Sequence, residues 1–434
     1  MADGVRTIKT IEISNYYSGE IRDIVLSHSE PLIFPKASKQ WPCSKWTPEF
    51  LAGKLGNTQI TFRTFAKLGS PFYRFPLNKA VTELDCEYSK ASLQNFCAWL
   101  KDDSQNAGDL AKFPRAHYWC YADYKYMAEI FSEFPSLRQG PLWEAFGFSE
   151  VTGDQSTIWI GSEGSNTPCH LDTYGCNLVA QIFGQKKWTL FPPSQSDKLC
   201  PTRIPYEESS VFSRVNIQCP DLSLSPEFNN AVKYEVVLNP GDVLFVPRHW
   251  WHFVESLEPS ISTNTWITLD SDHLDRVREA VTRTLVCSLK ECEKEDPKLW
   301  LNPTEEMTPH IQNIEYLRQA AMAFFKNQTG GSQSPALTNN DIIDCITAPE
   351  IVNQIANRLM SKTKTGDSAA NISPFKIPTE RSCHCECCGP VCIRTSMMAK
   401  KPIRSLSVPA GEEHKHQPFD DDNKEIPKKR KKKP

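Results

Sequence analysis

TPCHLDTYGCNLVAQIFGQKKWTLF, residues 167–191, holds two short apolar runs separated by a glycine-led turn, with a His-x-Asp pair just before them. Asn177–Phe183 and Lys186–Phe191 are rich in β-branched and aromatic residues and read as strands. Glycine first in a two-residue connection predicts a type II′ hairpin at Gly184-Gln185. Upstream, His170 and Asp172 stand two positions apart, and on a strand such residues share a face. One strand can therefore offer an imidazole and a carboxylate to a single ion. A third donor is expected from PGDVLFVPRHWWHFVES, residues 240–256, with His252 or His249 as the candidate. Two imidazoles and one carboxylate form the donor set of non-haem iron sites that keep open positions.

Working outward, STIWIG, YEVVL, VLFVP and SISTNTWITL between residues 156 and 269 read as further strands. Pro240-Gly241-Asp242 marks another turn. Many short strands without long helices between them predict an antiparallel sandwich or barrel, not a parallel sheet. In a barrel, distant positions such as His170, Lys186 and His252 can converge on one interior. Lys187 competes with Lys186, but neighbours on a strand face opposite sides, so only one points inward.

Before this block, Thr47–Leu55 predicts a helix capped by Thr47 with Pro48 first, and 60–65 a strand. Residues 91–101 read as a helix. The aromatic run Tyr118–Tyr126 predicts a core strand, or one that lends a tyrosine hydroxyl to a ligand. After 270 the apolar period changes to that of a helix. Leu274, Val277, Val281, Leu285 and Leu289 predict one apolar face, and Ile311, Ile314, Leu317, Ala321 and Phe325 a second. A helical pair is expected at 340–361, divided by Pro349.

The chain has 434 residues, is 39% hydrophobic and carries a formal net charge of −3. That length accommodates a large domain with additions, and the charge gives no overall bias toward nucleic acid or membrane. No apolar run reaches the roughly 18 residues that span a membrane. MADGVRTIKTIEIS lacks the apolar core of a secretory signal, so a reducing compartment, cytoplasm with or without nucleus, is expected. The 16 cysteines then read as free thiols. Cys383–Cys392 is a dense thiol cluster that lacks the spacing of two separated zinc-binding pairs. Lys428–Lys433 is a basic run suited to nuclear import or to nucleic acid. Expected boundaries are an extension at 1–29, the β-rich domain at 30–290, a helical region at 291–362 and a disordered tail at 363–434.

Residues 167–193 together with 240–256 resemble the JmjC, or cupin-like, domain, and in particular the asparaginyl-hydroxylase branch of the 2-oxoglutarate oxygenases. The resemblance covers roughly 30–290. It implies a double-stranded β-helix (jelly-roll) core, mainly β with flanking and C-terminal helices. It implies Fe(II) ligands at His170, Asp172 and His252. It places the 2-oxoglutarate contacts at Lys186, Thr167 and Tyr121, with Asn177 and Asn264 at polar positions near the co-substrate and metal. Departing from that branch, the segment between Asp172 and Asn177 (TYGC) is one residue longer, so the substrate does not carry over. The resemblance implies a protein hydroxylase, with a lysine demethylase or RNA hydroxylase as alternatives. The similarity is strongest to a branch associated with a small heat shock protein, which makes that protein the expected partner and a non-catalytic adaptor the rival reading. A homodimer through the helix at 308–328 is the further expectation.

Overall fold

The computed structural model describes residues 5–292, 300–303, 305, 308–329 and 337–364. The Cys383–Cys392 cluster, the Lys428–Lys433 run and nearly all of the expected disordered tail lie outside the described residues. The chain divides into two units, Met1–Asn353 and Gln354–Pro434.

The strands run β1 Val5–Arg6, β2 Lys9–Thr10, β3 Leu32–Phe34, β4 Ile60–Ala66, β5 Glu87–Ala91, β6 Tyr118–Tyr126, β7 Ser156–Gly161 and β8 Asn166–Asp172. They continue with β9 Cys176–Phe183, β10 Lys186–Phe191, β11 Pro201–Thr202, β12 Ser210–Ser213, β13 Lys233–Leu238, β14 Val243–Val246, β15 Trp251–Ser256 and β16 Ser260–Ile267. They form two sheets. One has the order β1-β13-β10-β15-β8-β12-β11, the other β2-β3-β14-β9-β16-β7-β6-β4-β5. From β8 to β10, and again from β13 to β16, the chain alternates between the sheets, which is the expected double-stranded β-helix.

That alternation corrects the hairpin reading of Gly184-Gln185. β9 pairs with β14 and β16, whereas β10 pairs with β13 and β15, so the connection arches from one sheet to the other. Gly184 has φ 63°, and a Cβ there would meet the Pro259 carbonyl oxygen at 2.1 Å. The local conformation demanded glycine, as read, but the crossing between sheets is a tertiary property.

Alternation along β9 explains the layers. Cys176, Leu178, Ala180 and Ile182 point out of the roll into a core shared with helices α1 Ser18–Ser27, α2 Pro48–Leu55 and α3 Leu93–Leu100. Asn177, Val179 and Gln181 take the opposite parity, and Val179 packs between the sheets with Trp188, Leu190 and Leu244. Each fully buried Leu or Phe in these layers contributes about 1.5–3 kcal/mol. The Thr47 hydroxyl caps α2 by accepting from Phe50 N, as expected. Of the segment before residue 30, the described residues 5–29 contribute to both sheets and to the core. β1 pairs with β13 in one sheet, β2 with β3 in the other, and α1 buries Ile21 and Val25.

Short helices α4 Met127–Ile130 and α5 Pro135–Arg138 precede the roll, and α6 Asp272–Cys292, α7 His310–Thr329, α8 Asn339–Ile346 and α9 Pro349–Lys364 follow it. The apolar face expected for α6 is corrected in part: Val277 and Val281 pack against the cluster formed with α7, but Leu274, Leu285 and Leu289 are exposed. The buried stripe is Asp275, Glu279, Arg283 and Cys287, at spacings of four. The charged members of that stripe are held by partners. Arg248 and Arg278 reach Asp275, Arg203 reaches Glu279, and Glu208 and Glu305 each lie 2.7 Å from Arg283 Nη1. On α7, Leu317 and Ala320 pack with Ala280 and Ile342, so much of the face expected to pair with a second copy is covered within the chain.

Candidate metal centre

β8 carries His170 and Asp172, and β15 lies beside it with His252 opposite His170. The donor atoms of His170, Asp172 and His252 all lie within 4.8 Å of one another. Each imidazole is oriented by the carbonyl two residues before it: His170 Nδ1 lies 2.8 Å from Pro168 O, and His252 Nδ1 lies 3.0 Å from Trp250 O. Carbonyls only accept, so each Nδ1 carries the proton and leaves Nε2 with its lone pair. Asp172 Oδ2 accepts from Trp266 Nε1 at 2.9 Å. The geometry decides between the two histidines: His249 Nε2 donates to Thr173 O and faces Asp275 at 3.3 Å, apart from the cluster.

Thr167 also lines the cavity, although its odd spacing from His170 would place it on the other face of a regular strand. The reason is an irregularity in the ladder. His170 pairs with His252 and Thr167 with Val254, so three steps on β8 match two on β15. Such a bulge re-aims the side chains beyond it.

Lys186 is 1% exposed, while Lys187 on the opposite face pairs with Glu235 at 3.3 Å. Lys186 Nζ donates to Ser262 Oγ at 2.8 Å and to Tyr121 OH at 3.1 Å. Thr167 lines the same cavity as Tyr121 and Ser262. Among the described residues no carboxylate lies within ion-pairing distance of Lys186. Burial pushes its ammonium down to about 7, only partly opposed by the charge of Asp123. Asn264 Nδ2 donates to Asn177 Oδ1 at 2.9 Å, and Asn264 Oδ1 accepts from Trp159 Nε1 at 2.7 Å and from Thr157. Trp188 Nε1 is buried and finds no acceptor among the described residues.

These groups line one cavity of about 310 Å³. All eight residues singled out in the sequence fall here or on its wall: Tyr121, Thr167, His170, Asp172, Asn177, Lys186, His252 and Asn264. Sequence reasoning missed Ser262 and Trp266, which flank Asn264 at two-residue spacing on β16 and so share its face. It also missed Glu83, Tyr124, Tyr126, Trp159 and Glu207 on the cavity wall. Glu83 and Glu207 have no metal-type spacing in the chain. Folding brings them together, and burial followed by neighbouring charges raises the carboxyl of Glu207 well above the usual carboxylate range.

A family model described as "Cupin-like domain" matches residues 18–291. HSPB1-associated protein 1 of Rattus norvegicus is 48% identical over 307 residues, covering 70% of this chain and 63% of that protein. Its Homo sapiens counterpart is 47% identical over 307 residues, covering 70% of this chain and 62% of that protein. The chain thus spans less than two thirds of the length of these relatives. Lysine-specific demethylase 8 of Xenopus tropicalis is 27% identical over 257 residues, covering 56% of this chain and 49% of that protein. The jelly roll, the converging His-Asp-His set and the match over most of the described fold agree, and the chain belongs to the cupin-like family of JmjC proteins.

Proposed function

We propose that this protein is an Fe(II)- and 2-oxoglutarate-dependent oxygenase that hydroxylates a protein side chain. The observation that carries the reading is one cavity that joins three convergent metal donors to a buried lysine ringed by hydroxyls. The donor set fits Fe(II): two neutral imidazoles and one carboxylate, with positions left open. His170, Asp172 and His252 would hold the metal. Lys186, Tyr121, Thr167 and Ser262 would hold the distal carboxylate of 2-oxoglutarate, an anion that gives the buried ammonium the partner it lacks. The orphaned Trp188 Nε1 is a further donor for a ligand oxygen. When bound, metal and co-substrate together supply the oxidising chemistry, in which O₂ and 2-oxoglutarate yield succinate, CO₂ and a hydroxylated C–H position.

The chain's own residues supply orientation, charge and exclusion of water. Tyr124, Tyr126 and Trp159 give the wall an aromatic character, and beside them stand Glu83 and Glu207, carboxyls that burial holds toward the neutral form. Aromatic faces suit a cationic side chain, which would also draw the two carboxyls toward their charged form. Lysine demethylation is the narrower version of this reading, supported by the name of the demethylase relative.

The test is anaerobic titration of purified protein with Fe(II) and 2-oxoglutarate. The visible charge-transfer band of chelated 2-oxoglutarate is expected in wild type and absent in His252→Ala. No band in folded wild type would overturn the reading.

A second reading is favoured by the name of the HSPB1-associated relatives: an adaptor that binds a small heat shock protein in cytoplasm or nucleus and acts in stress responses. Capture of the small heat shock protein that is unchanged in His170→Ala would support it. Loss of capture in that variant would tie binding to the metal centre.

A further inference from the structure

We infer that Trp266 is a positioning residue that restricts Asp172 to one donor oxygen. The inference rests on the metal reading above and adds a residue which that reading does not use.

A carboxylate can bind an ion through one oxygen or both. In a six-coordinate site, three protein donors leave three positions, enough for a two-point ligand and one small molecule. Were Asp172 to use both oxygens, only two would remain. What selects one-point binding must therefore act on the second oxygen.

Trp266 does this. Its Nε1 donates to Asp172 Oδ2 at 2.9 Å, whereas Oδ1 is the oxygen nearer His170 Nε2, at 3.8 Å. That bond is the only one the Asp172 carboxylate accepts among the described residues. The indole N–H is a donor only and does not ionise, so the restraint cannot reverse its role. The ring is itself held. It sits on β16, where Trp266 pairs with Asn177 of β9, and it packs on Tyr124 with centroids 5.5 Å apart. Tyr124 in turn meets Trp159 edge-on at 5.7 Å.

The test uses the full chain and Co(II) as the probe, because Co(II) reports its coordination in the visible spectrum. Trp266→Phe keeps a ring and removes the donor. It is expected to weaken Co(II) binding about 10-fold, the order found when outer partners of metal ligands are removed, and to change the Co(II) absorption bands. A role confined to packing would leave those bands unchanged. Should Trp266→Phe fail to fold, benzothienylalanine at position 266, which exchanges the N–H for sulfur at nearly constant shape, decides the matter by the same two readouts. Affinity and bands identical to wild type in a folded variant would overturn the proposal alone. A wild-type chain that binds no Co(II) would overturn the metal reading together with it.

Discussion

His252 lies directly opposite His170 across neighbouring antiparallel strands, with ring centroids 4.2 Å apart. Burial first, and then the nearby His170 ring, hold the His252 imidazole down at about 4. A lowered imidazole resists protonation in the folded state, whereas the unfolded chain takes up its proton near 6.5. The unfolded state therefore binds more protons between these values, and the stability of the metal-free protein falls as pH drops from about 6.5 to about 4. His170→Ala removes the neighbouring ring, so NMR titration of the metal-free variant should find the His252 pKa moved up. An unmoved value would mean that burial alone sets it.

Lys186 offers a test with the opposite charge. Its ammonium, down at about 7, is largely neutral at pH 8 in the free protein. An anionic carboxylate favours the charged form, so binding of 2-oxoglutarate at pH 8 should take up a proton. Calorimetry in buffers of different ionisation enthalpy measures that uptake, which should shrink at pH 6. Lys186→Met should weaken 2-oxoglutarate binding by at least about 30-fold, as when one partner of a buried charge pair is removed, and leave metal binding in place.

Behind the cavity, Arg63 is 1% exposed and donates from Nε to Asp123 Oδ2 at 2.7 Å and from Nη2 to Asn166 O at 3.0 Å. It thereby ties β4 to β6 and to the start of the strand that carries His170. Arg63→Met leaves Asp123 buried without its cation and should destabilise the fold by about 3 kcal/mol. Urea unfolding would show this as a lower midpoint at unchanged slope.

Arg283 and Glu279 of α6 grip residues 203–209, which supply Glu207, Glu208 and Ser209 to the cavity wall. Arg283→Leu should speed hydrogen exchange at 203–210 and leave β9 and β16 as slow as in wild type. Equal protection in both proteins would show that the wall stands without the helix.

How far the sequence could be read follows from which forces are local. The H-x-D pair, the strand segments and the Thr47 cap rest on period-two patterning and side-chain chemistry, and they appear as expected. Gly184 was legible as a glycine turn, but not as a crossing, because sheet membership depends on strands more than about forty residues away. On α6 the apolar period pointed to Leu285 and Leu289, while folding buried Asp275, Glu279 and Arg283. Ion-paired charges lie inside where partners wait in other segments, and hydrophobicity carries no trace of that. Thr167 joined the site through a bulge, which pattern reading cannot see. Trp266 and Ser262 were within reach, since they flank Asn264 at the spacing of one strand face.

That face has a consequence for selectivity. Ser262 supports Lys186 at one end and Trp266 the Asp172 carboxylate at the other, both on the same strand. Four residues of strand span about 13 Å and do not stretch. Under the proposed binding of 2-oxoglutarate, that fixed spacing predicts selection by length: a dicarboxylate one methylene shorter or longer than 2-oxoglutarate should bind more weakly. On that reading β16 would act as a molecular ruler, and competing dicarboxylates should sort by chain length.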